Sequence, residues 1–188
     1  QAGWGNKGRW GPGQQNPKFL PDQNINQGLS AKEAEQLGYL REEEKVARDV
    51  YLLMNERWNL YIFRNIANAE QRHMDSVLNM LSRYGLVDPA LSRGGLFCNP
   101  ELQNLFDTLI AQAGESEVAA LLTGALIEEV DIQDLNNMIA STDKADLIAM
   151  HEKLSCGSRN HLRAFVRQLE NRGLVYSAQV LSQDEVDG

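Results

Sequence analysis

Basic residues are scarce in this chain: 18 lysines and arginines stand against 26 aspartates and glutamates over 188 residues, a net charge of −8. Such a surface repels phosphate, which argues against a general nucleic-acid binder. Long apolar stretches are missing too. None approaches the roughly 20 residues a helix needs to span a bilayer, so no transmembrane segment is expected. There is no glycine-rich phosphate loop and no G-x-S-x-G nucleophile elbow, which removes two common routes to nucleotide binding and serine hydrolysis. No segment of useful length alternates polar and apolar residues as a strand does. The only cysteines, Cys98 and Cys156, cannot make a disulfide framework, and they stand too far apart for a C-x-x-C metal or redox motif. Two readings stay open for them: one bridge in an oxidising compartment, or two small buried side chains.

What remains is enough for one well-filled domain, with 43% hydrophobic residues. Residues 1–29 read as an N-terminal extension, because "QAGWGNKGRWGPGQQNP" at 1–17 is rich in Gly, Asn, Gln and Pro and cannot build a core. A chain that starts at Gln1 with such a segment suits a mature exported protein whose signal peptide has been removed. Trimming of a longer chain would give the same start. Trp4 and Trp10 in this extension would anchor it on a neighbouring surface, such as a homodimer partner or another assembly.

Helical signals fill residues 30–173. Ser30 and Glu33 form a capping-box pattern, and the helix that follows runs to about Trp58 with Leu37, Leu40, Glu44, Ala47, Tyr51, Met54 and Trp58 on one stripe. A second helix covers about 61–84 and stops at Gly85. The long connection "GLVDPALSRGGLFCNP", with a short helix at 101–113, suits a crossover that returns the chain to the same end of a bundle. A third long helix spans about 116–140, with Leu121, Ala125, Glu128, Ile132, Leu135 and Ile139 on its stripe. A fourth spans about 143–172, N-capped by Thr142 or Ser141, with Leu147, His151, Leu154, Ser158, His161 and Phe165 in line and Gly157 weakening its middle. Residues 174–188 read as an acidic tail. The fold expected is an all-α four-helix bundle.

Each stripe carries an ionisable group near its middle: Glu44, the Glu70–His73 pair, Glu128 and His161. Unpaired burial of such groups costs several kcal/mol, so they must be paired or must bind something. One buried charge is easily coincidence; four helices each supplying one at mid-length is not. Carboxylates can bridge two divalent cations while imidazoles complete each coordination sphere, and a Glu–His pair at i, i+3 presents both ligands from one helical turn. Di-iron and di-manganese carboxylate bundles use a donor set of this kind, one Glu from each of two helices and a Glu-x-x-His from each of the other two. Glu42 and Glu43 lie off the first stripe, so only Glu44 of "REEEK" is expected to point inward. His151, two turns from Ser158, reads as a core or rim histidine, and Tyr51 as core or as a hydrogen-bond partner of a ligand.

"EKVARDVY" at 44–51 resembles the first metal-binding helix of rubrerythrins, and "EQRH" at 70–73 the second. Taken together, "YLREEEKVARDVY", "NIANAEQRHMDSV", "GALIEEVDIQDL" and "GSRNHLRAF" resemble an uncharacterised ferritin-like family of bacteria and archaea, often with export signals, over about residues 30–182. The resemblance implies a ferritin-like bundle holding two iron ions, with manganese or zinc as alternatives. It also implies chemistry with Fe(II), dioxygen or peroxide, the partners then being a metal ion and a small oxidant. The ligands it implies are Glu44, Glu70, His73, Glu128 and His161. A second Glu-x-x-His is expected on the last helix, but Ser158 stands where its glutamate belongs. Asp131, about 100° from its stripe centre, or Glu129, about 60° away, are the candidates to supply the missing carboxylate. The gap at Ser158 would alternatively leave room for water or oxidant. Two other readings stand beside a redox centre: a structural module stapled by ions, and a manganese catalase-like site.

Overall fold

The computed structural model describes residues 28–187, and its long elements are all helices: α1 (Ala31–Trp58), α2 (Tyr61–Arg83), α3 (Pro100–Ala113), α4 (Glu117–Ala140), α5 (Ala145–Glu170) and the short α6 (Gln183–Asp187). The extension with Trp4 and Trp10, and any assembly it contacts, lies outside the described residues. Among those residues no helix is long and apolar enough to cross a membrane. The expected capping box forms: the Ser30 amide donates to Glu33 Oε2 (2.7 Å) and the Glu33 amide to Ser30 Oγ (3.2 Å). α1 ends on Asn59, which takes the left-handed conformation that asparagine tolerates best after glycine (φ 52°). α3 starts from Asn99, whose side chain accepts two amides ahead of Pro100, a residue suited to the first turn because it has no amide to leave unpaired.

One detail differs from the sequence expectations, the cap of α5. α5 starts from Lys144 without a side-chain cap, because Thr142 instead donates to Glu33 Oε1 (2.6 Å) and ties the α4–α5 corner to the start of α1. Gly157 does not interrupt α5, which runs unbroken across it.

α1, α2, α4 and α5 form a four-helix bundle. Two contacts per pair give its directions: Glu44 meets His73 and Tyr51 meets Phe63; Gln36 meets Ser141 and Tyr51 meets Glu128; Glu128 meets His161 and Asp131 meets Ser158; Phe63 meets Phe165 and Glu70 meets His161. Every adjacent pair is therefore antiparallel, and α2 and α4 run the same way. Residues 84–116 make the crossover this requires, and α3 packs against α1 and α4 along that route.

The core divides in two. One apolar cluster contains Val50, Tyr51, Phe63, Leu121 and Phe165, with the three aromatic centroids 5.4–6.2 Å apart. The other contains Leu37, Leu40, Val77, Leu81, Leu135 and Leu147. Burial of such side chains contributes about 1.5–3 kcal/mol each. Between the clusters lies a layer of buried charge.

α1 is enclosed on all sides there, and Leu40–Ala47 is buried without interruption. The expectation that Glu42 and Glu43 face outward is therefore wrong, because the crossover and α3 cover the side of α1 opposite its stripe. Glu42 accepts the amides of Cys98 and Asn99 (2.6 and 3.0 Å) and fixes the approach to α3. Arg41 forks onto Asp88, while Lys45 donates to Asp49 and to the carbonyls of Arg93 and Leu96. The charges of "REEEK" largely strap the crossover down.

Neither reading of the cysteines holds: Cys98 and Cys156 are free thiols, and both are exposed. The acidic segment after α5 is packed onto the bundle. Tyr176 and Val186 are buried, and the segment docks on Glu129 of α4. The Glu129 carboxylate takes hydrogen bonds from the Tyr176 hydroxyl and from the amides of Gln179, Val180 and Leu181. Glu129→Ala is expected to cost on the order of 3 kcal/mol, since it removes charged hydrogen bonds and leaves buried amides unpaired. Urea unfolding and amide exchange check it. The amides of Gln179, Val180 and Leu181 should lose protection first; unchanged exchange there would contradict the anchoring.

Candidate metal centre

Five carboxylates and two imidazoles meet in the layer between the apolar clusters. α1 contributes Glu43 and Glu44, α2 Glu70 and His73, α4 Glu128 and Asp131, and α5 His161. The carboxylates of Glu44, Glu70 and Glu128 are each about 98% or more buried. Glu70 sits at the middle. One of its oxygens, Oε2, lies 2.8 Å from His73 Nδ1, and the other, Oε1, lies 2.8 Å from His161 Nδ1. His73 Nδ1 is also 3.2 Å from Glu44 Oε2, and His161 Nδ1 is 3.3 Å from Glu128 Oε2. Two three-residue groups result, Glu44–Glu70–His73 and Glu70–Glu128–His161, which share the Glu70 carboxylate. The two imidazoles stack at 5.5 Å on one side of it.

These contacts are close without all being hydrogen bonds. Glu70 Oε1 has no hydrogen-bond partner although His161 Nδ1 is 2.8 Å away, and Glu44 Oε1 has none either. Converging donors at that spacing are what a common cation explains: ligand atoms about 2.1 Å from a first-row ion lie roughly 3 Å apart when neighbouring bonds are near 90°. A mixture of carboxylate oxygen and imidazole nitrogen suits Fe(II), Mn(II) or Zn(II). The residues therefore fit divalent cations, which Glu44, Glu70 and His73 on one side and Glu70, Glu128 and His161 on the other would hold.

Neighbouring side chains hold this donor set in place. Tyr51 donates to Glu128 Oε1 (2.6 Å), which realises the hydrogen-bonding reading of that tyrosine. Gly157 gives His73 its room: a Cβ there would come within 2.5 Å of His73 Nε2. The glycine in α5 answers to the centre and not to helix flexibility. Ser158 is fully buried; its hydroxyl donates to Asp131 Oδ2, with the Leu154 carbonyl also within hydrogen-bond reach of Oγ. No gap is left at Ser158, because Asp131 fills the space in front of it.

Asp131 thus extends from α4 toward the place where the sequence leaves α5 without a carboxylate, and its Oδ1 stays unpartnered. Glu129, the other candidate, faces the C-terminal segment and does not join the cluster. His151 is also outside it, buried with neither ring nitrogen partnered, and burial lowers its pKa to about 4. Sequence periodicity missed Glu43, whose burial comes from the crossover. A signal that could have pointed to this side of α4 is the three-residue spacing of Glu128, Asp131 and Asp134, which winds away from the core stripe.

Electrostatics divide the carboxylates. Burial, and then the charge of Asp131, raises Glu44 well above the usual range; burial and Glu70 raise Glu128. Burial and Glu128 raise Asp131 to about 7. Burial works against ionised Glu70 as well, but the contacts of His161 and His73 outweigh it and hold Glu70 at about 2. Burial also opposes charge on the imidazoles, yet Glu44 and Glu70 raise His73 to about 11, and Glu128 and Glu70 raise His161 to about 10. In the metal-free chain the imidazolium contribution to stability is complete below the ordinary histidine pKa of 6.5 and is lost as pH rises through about 10–11. The Glu70 contribution is present above 4.5 and is lost as pH falls toward about 2.

Cation binding must displace the imidazole protons. Loading with Zn(II) at neutral pH is expected to release at least two protons per chain, those of the imidazoles together with any held by the raised carboxyls such as Glu44, and affinity should rise with pH. Calorimetry in buffers of different ionisation heat checks both. Binding without proton release would contradict the protonated pairs.

A family model described as "Uncharacterized protein domain (DUF2202)" matches residues 33–188. The uncharacterised protein MJ0754 of Methanocaldococcus jannaschii is 46% identical over 162 residues, covering 86% of this chain and 88% of that protein. The crystal structure of hypothetical protein MJ0754 from the same archaeon superposes with a TM-score of 0.84, covering 86% of this chain and 93% of that one. The chain therefore belongs to the DUF2202 family.

Proposed function

We propose that the chain is a ferritin-like, carboxylate-bridged di-metal protein, with two iron ions as its cofactor and redox activity toward Fe(II), dioxygen or peroxide. The observation that carries the reading is the pair of three-donor groups sharing Glu70, with buried oxygens that no protein hydrogen satisfies. A bound redox-active pair would supply the electrons that reduce a small oxidant.

The chain's own residues do the rest. Glu70 spans both positions, Tyr51 orients Glu128, Ser158 orients Asp131, and Gly157 admits the His73 ring. A cavity of about 80 Å³ reaches Glu44, Glu70, Glu128 and Asp131 from the α3 side, between Val46, Leu105, Leu109, Leu126 and Val130. Its apolar walls suit a small uncharged oxidant and keep bulk water from the carboxylates.

A structural staple is the second reading. The crowding of buried carboxylates favours it, since cations would relieve their mutual repulsion whether or not turnover followed. Narrowing the cavity separates the two.

Purified protein should bind two ions at the paired site, and Glu70→Ala with His73→Ala should lose at least one. Fe(II) oxidation should run faster than in buffer alone. Leu109→Trp is expected to slow that oxidation at least several-fold while elemental analysis shows unchanged metal content. Full metal with no rate above buffer would leave the staple reading; unchanged metal in the double variant would refute the site.

A further inference from the structure

Gly124 stands inside α4, where glycine weakens a helix relative to alanine. It is buried, one turn ahead of Glu128 on the same face. A Cβ at this position would come within 2.5 Å of Phe165 Cζ and 2.6 Å of its Cε1, so the missing side chain is the slot in which that ring lies. Phe165 is fully buried and sits 5.4 Å from the Tyr51 ring, tilted by 43°. Phe63 closes the triad, 6.2 Å from Tyr51 and 5.8 Å from Phe165. Packed against those two rings, the Tyr51 hydroxyl has two acceptors in reach: Glu128 Oε1 at 2.6 Å and the Gly124 carbonyl at 3.3 Å.

Ordinary carbon–carbon contact is about 3.5–4.0 Å, so a methyl group at 124 would drive the Phe165 ring about 1 Å or more from its slot. A close-packed core transmits such a displacement, and Tyr51, with no exposed surface, lies in its path. Gly157 plays a matching part for His73, but there the glycine touches a donor directly. Gly124 acts through two aromatic rings.

We propose that Gly124 and Phe165 are positioning residues for the Glu70–Glu128–His161 group: they seat the Tyr51 phenol on Glu128 and through it set the cation affinity of that group alone. The Tyr51 hydroxyl makes no hydrogen bond to Glu44 or His73, so the other group is left untouched. The affinity claim rests on the metal-binding reading; the seating of the phenol does not.

The test measures Zn(II) affinity of the full chain in two backgrounds. His73→Ala leaves Glu70–Glu128–His161 complete, and His161→Ala leaves Glu44–Glu70–His73 complete. Losing an outer hydrogen bond to a metal ligand costs about 10–100-fold in affinity. Gly124→Ala and Phe165→Leu should each weaken Zn(II) about tenfold or more in the first background and leave it unchanged in the second. In a chain that also carries Tyr51→Phe, neither should reduce affinity further, although both still lower the unfolding temperature. Equal losses in both backgrounds, or full losses on top of Tyr51→Phe, would overturn the proposal and leave only a loosened core. Phe165→Leu carries the same expectations if Gly124→Ala does not fold. A second readout needs no metal. The buried Tyr51 hydroxyl proton should give a slowly exchanging, downfield magnetic-resonance signal in the metal-free chain, and Gly124→Ala or Phe165→Leu should remove it. Its absence from wild type, or its persistence in both variants, would overturn the seating. If neither background binds Zn(II), the paired centre falls, and loss of this signal in the variants still upholds the seating of Tyr51 on Glu128.

Discussion

The bridging position of Glu70 is the constraint around which the bundle is arranged. Its carboxylate has an imidazole on each oxygen, and each imidazole leads to another buried glutamate. Five carboxylates in this layer face at most two imidazolium charges. Charge removed from water at that density is tolerated only when cations, protons or hydrogen bonds balance it. Two apolar clusters, one above the layer and one below, hold the helices at the spacing that keeps the carboxylates together.

α1 shows how the rest of the molecule serves this constraint. Its polar run divides by direction: Arg41, Glu42, Lys45 and Asp49 bind the crossover, whereas Glu43 and Glu44 turn to the acidic layer. The crossover in turn carries α3, whose Leu105 and Leu109 wall the cavity that opens on the carboxylates. Ion pairs that would add little at a surface here set the position of the element that walls the cavity. On the opposite side the two imidazoles are only slightly open to solvent, with side-chain exposures of 12%. The C-terminal segment closes α4 from outside through Glu129.

Much of this was readable from periodicity. Glu44, Glu70, His73, Glu128 and His161 fall on stripes of spacing three and four, so a helix reading alone brings them together. The crossover followed from a connection too long for a hairpin. What periodicity could not supply were contacts made by elements that cover a helix from its far side. Glu42 and Glu43 were read as outward because the stripe rule assumes one buried face, and α1 has none exposed at that level. Asp131 and Glu129 differ by two residues on one helix, and only their partners, Ser158 and the amides of 179–181, separate their roles. Gly157 looked like a weak point, although its missing side chain is what admits His73.

The central claim is that Glu70 bridges two cations, and anomalous diffraction from crystals loaded with Fe(II) under anaerobic conditions tests it most directly. The account predicts two strong iron peaks, one on each oxygen of Glu70, with His73 and Glu44 at the first and His161 and Glu128 at the second. A single peak away from Glu70, or no peak in the layer at full loading, would contradict it.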